Sequence, residues 1–293
     1  MVIAGILSFV FFGILTDVYK DYFDSKEISS SILDMELALE KISSNFRLRI
    51  KNSTIALKED SGIKFEKLGN DFNKSGYFGI EYLKEDIYSK RGMWKEDINK
   101  TSFGYSGLLD LNLTEKNGSV YKVFLPFSDF ESVKEIASKR AEFWGLEKEI
   151  FEKNYEVVVF AGKDGYGDIE EVNNSYGFYG TYAYKIFYIK KIEFNDITQN
   201  DILEIEALTH GKEKIYEKFF LVNGAWALVF EEGNLSFYFN YYPWLGEKFK
   251  DGNKALLIHN LSYFNFSVKN GVIVFNMCKK VLGKTVCRKK AVF

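Results

Sequence analysis

Cysteine, proline and histidine each occur only twice in 293 residues. Pro126 and Pro243 are too few to build a proline-rich linker, so any head region attaches rigidly to what precedes it. No feature of the sequence pairs His210 with His259, and each reads as a structural or surface residue rather than a general base. Phosphate-binding loops, dinucleotide fingerprints and zinc-ligand spacings are missing. Gly104-Tyr-Ser-Gly107 lacks the G-x-S-x-G spacing of a nucleophile elbow. Charge of one sign is lacking too: 39 basic and 41 acidic residues are interspersed for a net charge of −2. Without a basic block or an RNA-type aromatic motif, no specific nucleic-acid site is implied. These absences leave no visible catalytic set and no cofactor, so the chain reads as a non-enzyme.

What is present is aromatic. Phe and Tyr number 28 and 19, and 46 % of residues are hydrophobic, which excludes disorder and favours sheet. The two cysteines, Cys278 and Cys287, lie in a stretch that reads as two short strands turning at Leu282-Gly283. A two-residue loop there pairs Val281 with Lys284, Lys280 with Thr285, Lys279 with Val286 and Cys278 with Cys287. Opposed Cα atoms in such a pair stand ~4.5 Å apart, within disulfide range. Two reduced buried thiols are the alternative; the disulfide, which geometry favours, points to an oxidising compartment.

Met1 to Leu15 carries no charge, and Ser8 is its one clearly polar side chain. Fifteen residues fall short of the ~20 that span a bilayer. No basic region or cleavage site marks a secretory signal. The run continues into a helical pattern in which Ile32, Met35, Leu39, Ile42 and Phe46 recur at three and four residues. One helix over residues 1–54, ~80 Å long at 1.5 Å per residue, is expected. Its first part (Val2, Ile3, Ile6, Leu7, Phe9, Val10, Phe11, Phe12, Ile14, Leu15) would lie in lipid, and its second part would bury the Ile32 to Phe46 stripe against a head. Residues 17–27 are poor in positive charge, which suits a cytoplasmic N-terminus with the body outside.

Residues 55–293 form the expected head, one β-rich domain. Ser53 to Lys58 reads as the strand leaving the helix. Ser128 and Glu131 form a capping-box pattern that opens a helix over about 128–153. Tyr155 to Ala161 and Tyr176 to Phe194 read as strands. Asn223-Gly224, Glu232-Gly233-Asn234 and Asn270-Gly271 read as hairpin turns. The class is therefore α+β: a long N-terminal helix, apolar then amphipathic, packed on an antiparallel sheet-rich head with one internal helix. A flexible acidic segment bearing Asp164, Asp168, Glu170 and Glu171 is a weak calcium candidate; it lacks EF-hand spacing, and a solvated turn is the better reading.

Val2-Ile-Ala-Gly-Ile-Leu7, Gly13-Ile-Leu15, the stretch Leu39 to Thr54, Phe239 to Glu247 and the tail from Cys278 to Phe293 together resemble type IV pilin-like proteins, the pilins, minor pilins and type II secretion pseudopilins. The family's basic leader, its Gly before the cut and its glutamate are not in this stretch, which implies a helix that starts upstream of Met1. The resemblance implies a structural subunit of a type IV pilus or of a type II secretion or DNA-uptake filament. Such a subunit is held in the inner membrane by its first helix, with its head periplasmic, until assembly machinery extracts it. Its partners are other such subunits and that machinery. The large head suggests a minor subunit. The rival reading is a membrane-anchored periplasmic protein whose aromatic sheet holds a sugar or peptide.

Overall fold

After residue 54 the apolar residues alternate over short runs, and the chain folds them as strands. The computed structural model describes residues 2–59, 62–95, 99–145, 150–160, 162, 175–194, 200–211 and 213–293; of 2–10, 94, 95 and 100 it describes the backbone alone. Helix α1 (Val2–Phe46) leads through a short 3-10 turn (Lys51–Ser53) to β1 (Ile55–Glu59), β2 (Ile63–Lys67) and β3 (Tyr77–Glu85). Helix α2 (Ile87–Arg91) precedes β4 (Met93–Lys95), β5 (Lys100–Ser102), β6 (Asp110–Asn117) and β7 (Val120–Leu125). Helix α3 (Phe130–Trp144) leads to β8 (Val157–Val159), β9 (Ile186–Glu193), β10 (Asp201–Ala207), β11 (Phe220–Glu231) and β12 (Asn234–Tyr241). The last strands are β13 (Asn253–Ile258), β14 (Leu261–Lys269), β15 (Val272–Val281) and β16 (Lys284–Val292).

Eleven strands form one antiparallel sheet in the order β2-β1-β3-β11-β8-β9-β10-β7-β6, with β12 also on β11 and β13 on β12. Three more, β14-β15-β16, form a second sheet. The expected α+β class is overturned: about 45 % of the protein is strand and helices are few, so the fold is mainly β. The helix is not laid along the large sheet. A single helix is about 10 Å wide and cannot cover eleven strands. The three-stranded sheet does the covering instead, and Phe46 fills the gap between the two sheets, 4.4 Å from the Tyr82 ring and 4.9 Å from that of Phe275. The expected all-round apolar half of the helix is not shown either, since described side chains begin at Phe11 and polar residues take one side from Thr16.

Element boundaries also depart from expectation. α1 ends at Phe46, not near residue 54, because sheet hydrogen bonds capture the chain: Ile50 N–H donates to the Leu83 carbonyl at 2.8 Å, and Glu85 N–H to that of Leu48 at 2.9 Å. The internal helix covers Phe130–Trp144 rather than 128–153. Its N-cap is Asp129, which accepts from Ser132 N–H at 2.9 Å, while the Ser128 hydroxyl accepts from Ser106 N–H instead. Gly145, left-handed at φ 68°, stops it. Residues 176–185 are not strand; they cross one face of the large sheet, burying Tyr176 and Phe178.

Asn223-Gly224 makes no hairpin and lies inside β11 as a bulge, Val222 facing Glu85 and Ala225 facing Leu83. The extra residue resets the alternation, so Phe220, Val222, Ala225, Ala227 and Val229 all reach the same core. Opposite them lie two further cores: one between the sheets and α1, the other under α3.

Two polar clusters sit within this apolar frame. Glu81, in β3, is fully buried and accepts from the Tyr179 hydroxyl at 2.9 Å, with Tyr241 beside it. Burial pushes its carboxyl up from 4.5 to about 8. The second cluster centres on Arg140 of α3, which reaches the Asp86 carboxylate at 2.5 Å and that of Glu156 at 2.6 Å. In the amide orientation that satisfies both groups, Asn223 in the bulge also accepts from Arg140 at 2.9 Å. Burial and the neighbouring Asp86 charge push Glu156 up to about 8. Asp86 is held below its ordinary value by Arg140 and Ser89, against the cost of its burial.

The raised pair sets a pH dependence. Below 4.5 the folded and unfolded chains both keep these protons. Between 4.5 and about 8 only the folded chain does, so stability falls as pH rises through that window. The protein should melt lower at pH 8 than at pH 5, and Glu81→Gln should shrink that gap. Equal melting of the parent at both pH values would mean that Glu81 is not buried as described.

Candidate functional site

The first helix carries two apolar stripes on opposite sides. At 3.6 residues per turn, Ile28, Met35, Leu39, Ile42 and Phe46 fall in one line, with Ala38 beside it. Met35, Ile42 and Phe46 are fully buried, Leu39 and Ala38 nearly so, and Ile32 is half-buried. This stripe docks chiefly on β15 and β16. Ion pairs flank it: Lys279 Nζ to Asp34 at 3.6 Å, Arg288 Nε to Glu36 at 3.1 Å, and Lys290 to Glu40. The acidic partners are largely exposed, so these pairs set register more than they stabilise.

The receiving hairpin is closed by a disulfide. Cys278 and Cys287 are bonded with Cα atoms 4.1 Å apart, and Leu282-Gly283 makes the turn with both φ values positive. Lys279 and Arg288, each adjacent to a bonded cysteine, are two of the residues that grip the helix.

The second stripe faces outward. Phe11, Leu15, Val18 and Tyr22 repeat at three and four residues, with Ile14 on one flank and Phe12, Tyr19 and Phe23 on the other. Phe11, Phe12, Ile14, Val18, Tyr19, Tyr22 and Phe23 are each between 58 % and 66 % exposed. Leu33 and Leu37 continue the same side, also exposed, past the start of the docked region. Asp17, Asp21 and Asp24 occupy the opposite side, in line with the docking stripe. From residue 11 to residue 30 every described side chain is exposed or half-exposed, so the helix stands clear of the body as an arm. Counted from residue 2 to about residue 31, that arm is ~45 Å long.

Of the residues expected in lipid, Phe11, Phe12 and Ile14 are exposed and Leu15 is half-exposed. The side chains of Val2, Ile3, Ile6, Leu7, Phe9 and Val10 lie outside the described ones. Among the described residues, no helix is long and apolar enough to cross a membrane. The sequence reading missed Val18, Tyr19, Tyr22, Phe23, Leu33 and Leu37; the spacing that continues from Phe11 through Leu15 to Tyr22 was the signal.

Among the described residues, no three His, Cys, Asp or Glu side chains are placed to share a metal ion. Asp164, Asp168, Glu170 and Glu171 lie outside the described residues. His259 lines a shallow groove beside α1 with Asp34, Leu37, Lys41 and Lys279, and there the Asp34 carboxylate pairs with Lys279. No family model, no curated protein and no solved structure matches the chain.

Proposed function

We propose that this protein is a non-enzymatic structural subunit of an envelope filament, of the type IV pilus or type II secretion and DNA-uptake kind. Before assembly its first helix holds it in the inner membrane, with the N-terminus cytoplasmic and the head periplasmic. In the filament the same helix packs against neighbouring subunits. The observation that carries this reading is the outward stripe from Phe11 to Phe23, on the part of the helix that stands clear of its own body. An exposed apolar surface running from Phe11 to Phe23 calls for lipid or another protein. The two environments are interchangeable for such a stripe, since each removes it from water. The closed Cys278–Cys287 hairpin suits a head on the oxidising side of the membrane.

The division of labour within the helix can be tested in cells. Tyr19→Asp with Phe23→Asp should leave the melting temperature within about 1 °C of the parent, because both sites are exposed. The same pair of changes should abolish recovery of the protein in sheared, high-molecular-weight assemblies. Normal assembly of the double variant would sink the filament reading.

A further inference from the structure

We propose that the protein binds a small organic ammonium compound, one with an apolar body and a hydrogen-bonding group, in a cavity on the face of the large sheet away from α1. The cavity holds about 550 Å³, within the range of small-molecule sites. It opens where the covering segment ends at Phe249 and Lys250, leaving the last rungs of β1, β3, β11 and β12 unroofed.

Its floor comes from Ile63, Val229 and Ser236, which strand alternation sends to one face, and from Phe78, which the register shift between Leu57 and Lys58 brings to the same face. Ser236 breaks the pattern. Paired with Val229 on one side and Leu256 on the other, it holds a position that elsewhere on this face carries Tyr238, Val229 or Leu57. It is only 2 % exposed and lines the cavity.

The charges on the rim set the sign of the ligand. Glu231 is already engaged, with Lys250 Nζ at 3.7 Å and the Tyr238 hydroxyl at 3.4 Å. Lys254 lies over the Tyr238 ring at 5.2 Å and feels both Glu231 and Glu232. Those two lysines and two carboxylates balance. Glu59, across the floor on β1, is exposed and has no charged partner among the described residues. One uncompensated carboxylate beside the Phe78 ring favours a cation, through a charge-assisted hydrogen bond together with attraction to the ring face. The ammonium therefore sits on Glu59, the apolar body on Ile63, Phe78 and Val229, and the polar group on Ser236. This assignment is independent of the filament reading, since it uses none of the residues of α1.

Phenylalaninamide carries all three features and serves as the probe, followed by saturation-transfer NMR on the full chain. Binding is expected, with loss of about tenfold in affinity for N-acetylphenylalaninamide, which lacks the cation, and for the Glu59→Gln variant. Ser236→Ala should weaken it by a smaller factor. Because Glu59 is exposed, Glu59→Gln should melt like the parent, so a loss of binding cannot be blamed on unfolding. No binding of the probe, equal binding of its acetylated form, or unchanged binding by Glu59→Gln would each overturn the proposal. Binding of maltotriose in preference to the amine would do so as well, by making the cavity a sugar site.

Discussion

Ile42→Asp is expected to unfold the protein or bring it close to unfolding. Ile42 is fully buried in the core shared by α1 and the two sheets, in one line with Met35, Leu39 and Phe46. Removing a buried aliphatic chain costs ~2–5 kcal/mol through lost burial and the cavity left behind. A carboxylate without a partner adds the cost of desolvating or protonating it. Together they approach the ~5–15 kcal/mol that holds a typical domain together. Phe12→Asp, thirty residues earlier on the same helix, should change stability by less than about 0.5 kcal/mol, because Phe12 is 66 % exposed. Chemical denaturation of both variants beside the parent checks the contrast. Similar midpoints for all three would mean that the stripe does not dock on β15 and β16.

The next largest effect should come from Arg140→Met. Asp86 and Glu156, both with fully buried side chains, would then face each other without the guanidinium that bridges them. Breaking a buried ion pair on one side typically costs ~3–5 kcal/mol. The loss should ease as pH falls. With the cation gone, both carboxyls have raised values in the folded chain, so the folded chain binds more protons and gains relative stability at acid pH. Denaturant midpoints at pH 7.5 and pH 5 should show the variant far below the parent at the first and nearer at the second. A cost under about 1 kcal/mol at pH 7.5 would show that α3 is held by its apolar side alone.

Local pairings were legible in the sequence. The Cys278–Cys287 register follows from counting outward from Leu282-Gly283, and the structure has Cys278 opposite Cys287 and Val281 opposite Lys284. Glu232-Gly233 and Asn270-Gly271 also turn hairpins, since Glu231 pairs directly with Asn234 and Lys269 with Val272. The stripe from Met35 to Phe46 is visible because helical period is a local property. Asn223-Gly224 carries the same turn signal and misleads. There β3 pairs with β11 on both sides of it, and Arg140 takes the Asn223 side chain, so long-range partners outweigh the local preference. The class was missed for a related reason. No local pattern says that β14, β15 and β16 fold back as a separate sheet over the first, or that β8 and β9 lie side by side with residues 160–185 between them in sequence. The arm was half legible: its apolar character was plain at Phe11 and Phe12. Its continuation to Leu37 was hidden because the docking stripe rises on the opposite side of the same helix.

Photo-cross-linking along α1, in the full chain in cells, tests most directly whether the helix serves two partners on two faces. A photoreactive residue placed singly at Met35, Leu39 or Ile42 should link only within the chain, to β15 or β16. At Tyr19, Phe23, Leu33 or Leu37 it should instead yield adducts of twice the mass of one chain or more. A stripe that gives no intermolecular product at any of those four outward positions, while the inward three link as expected, would contradict assembly through the free face of the helix.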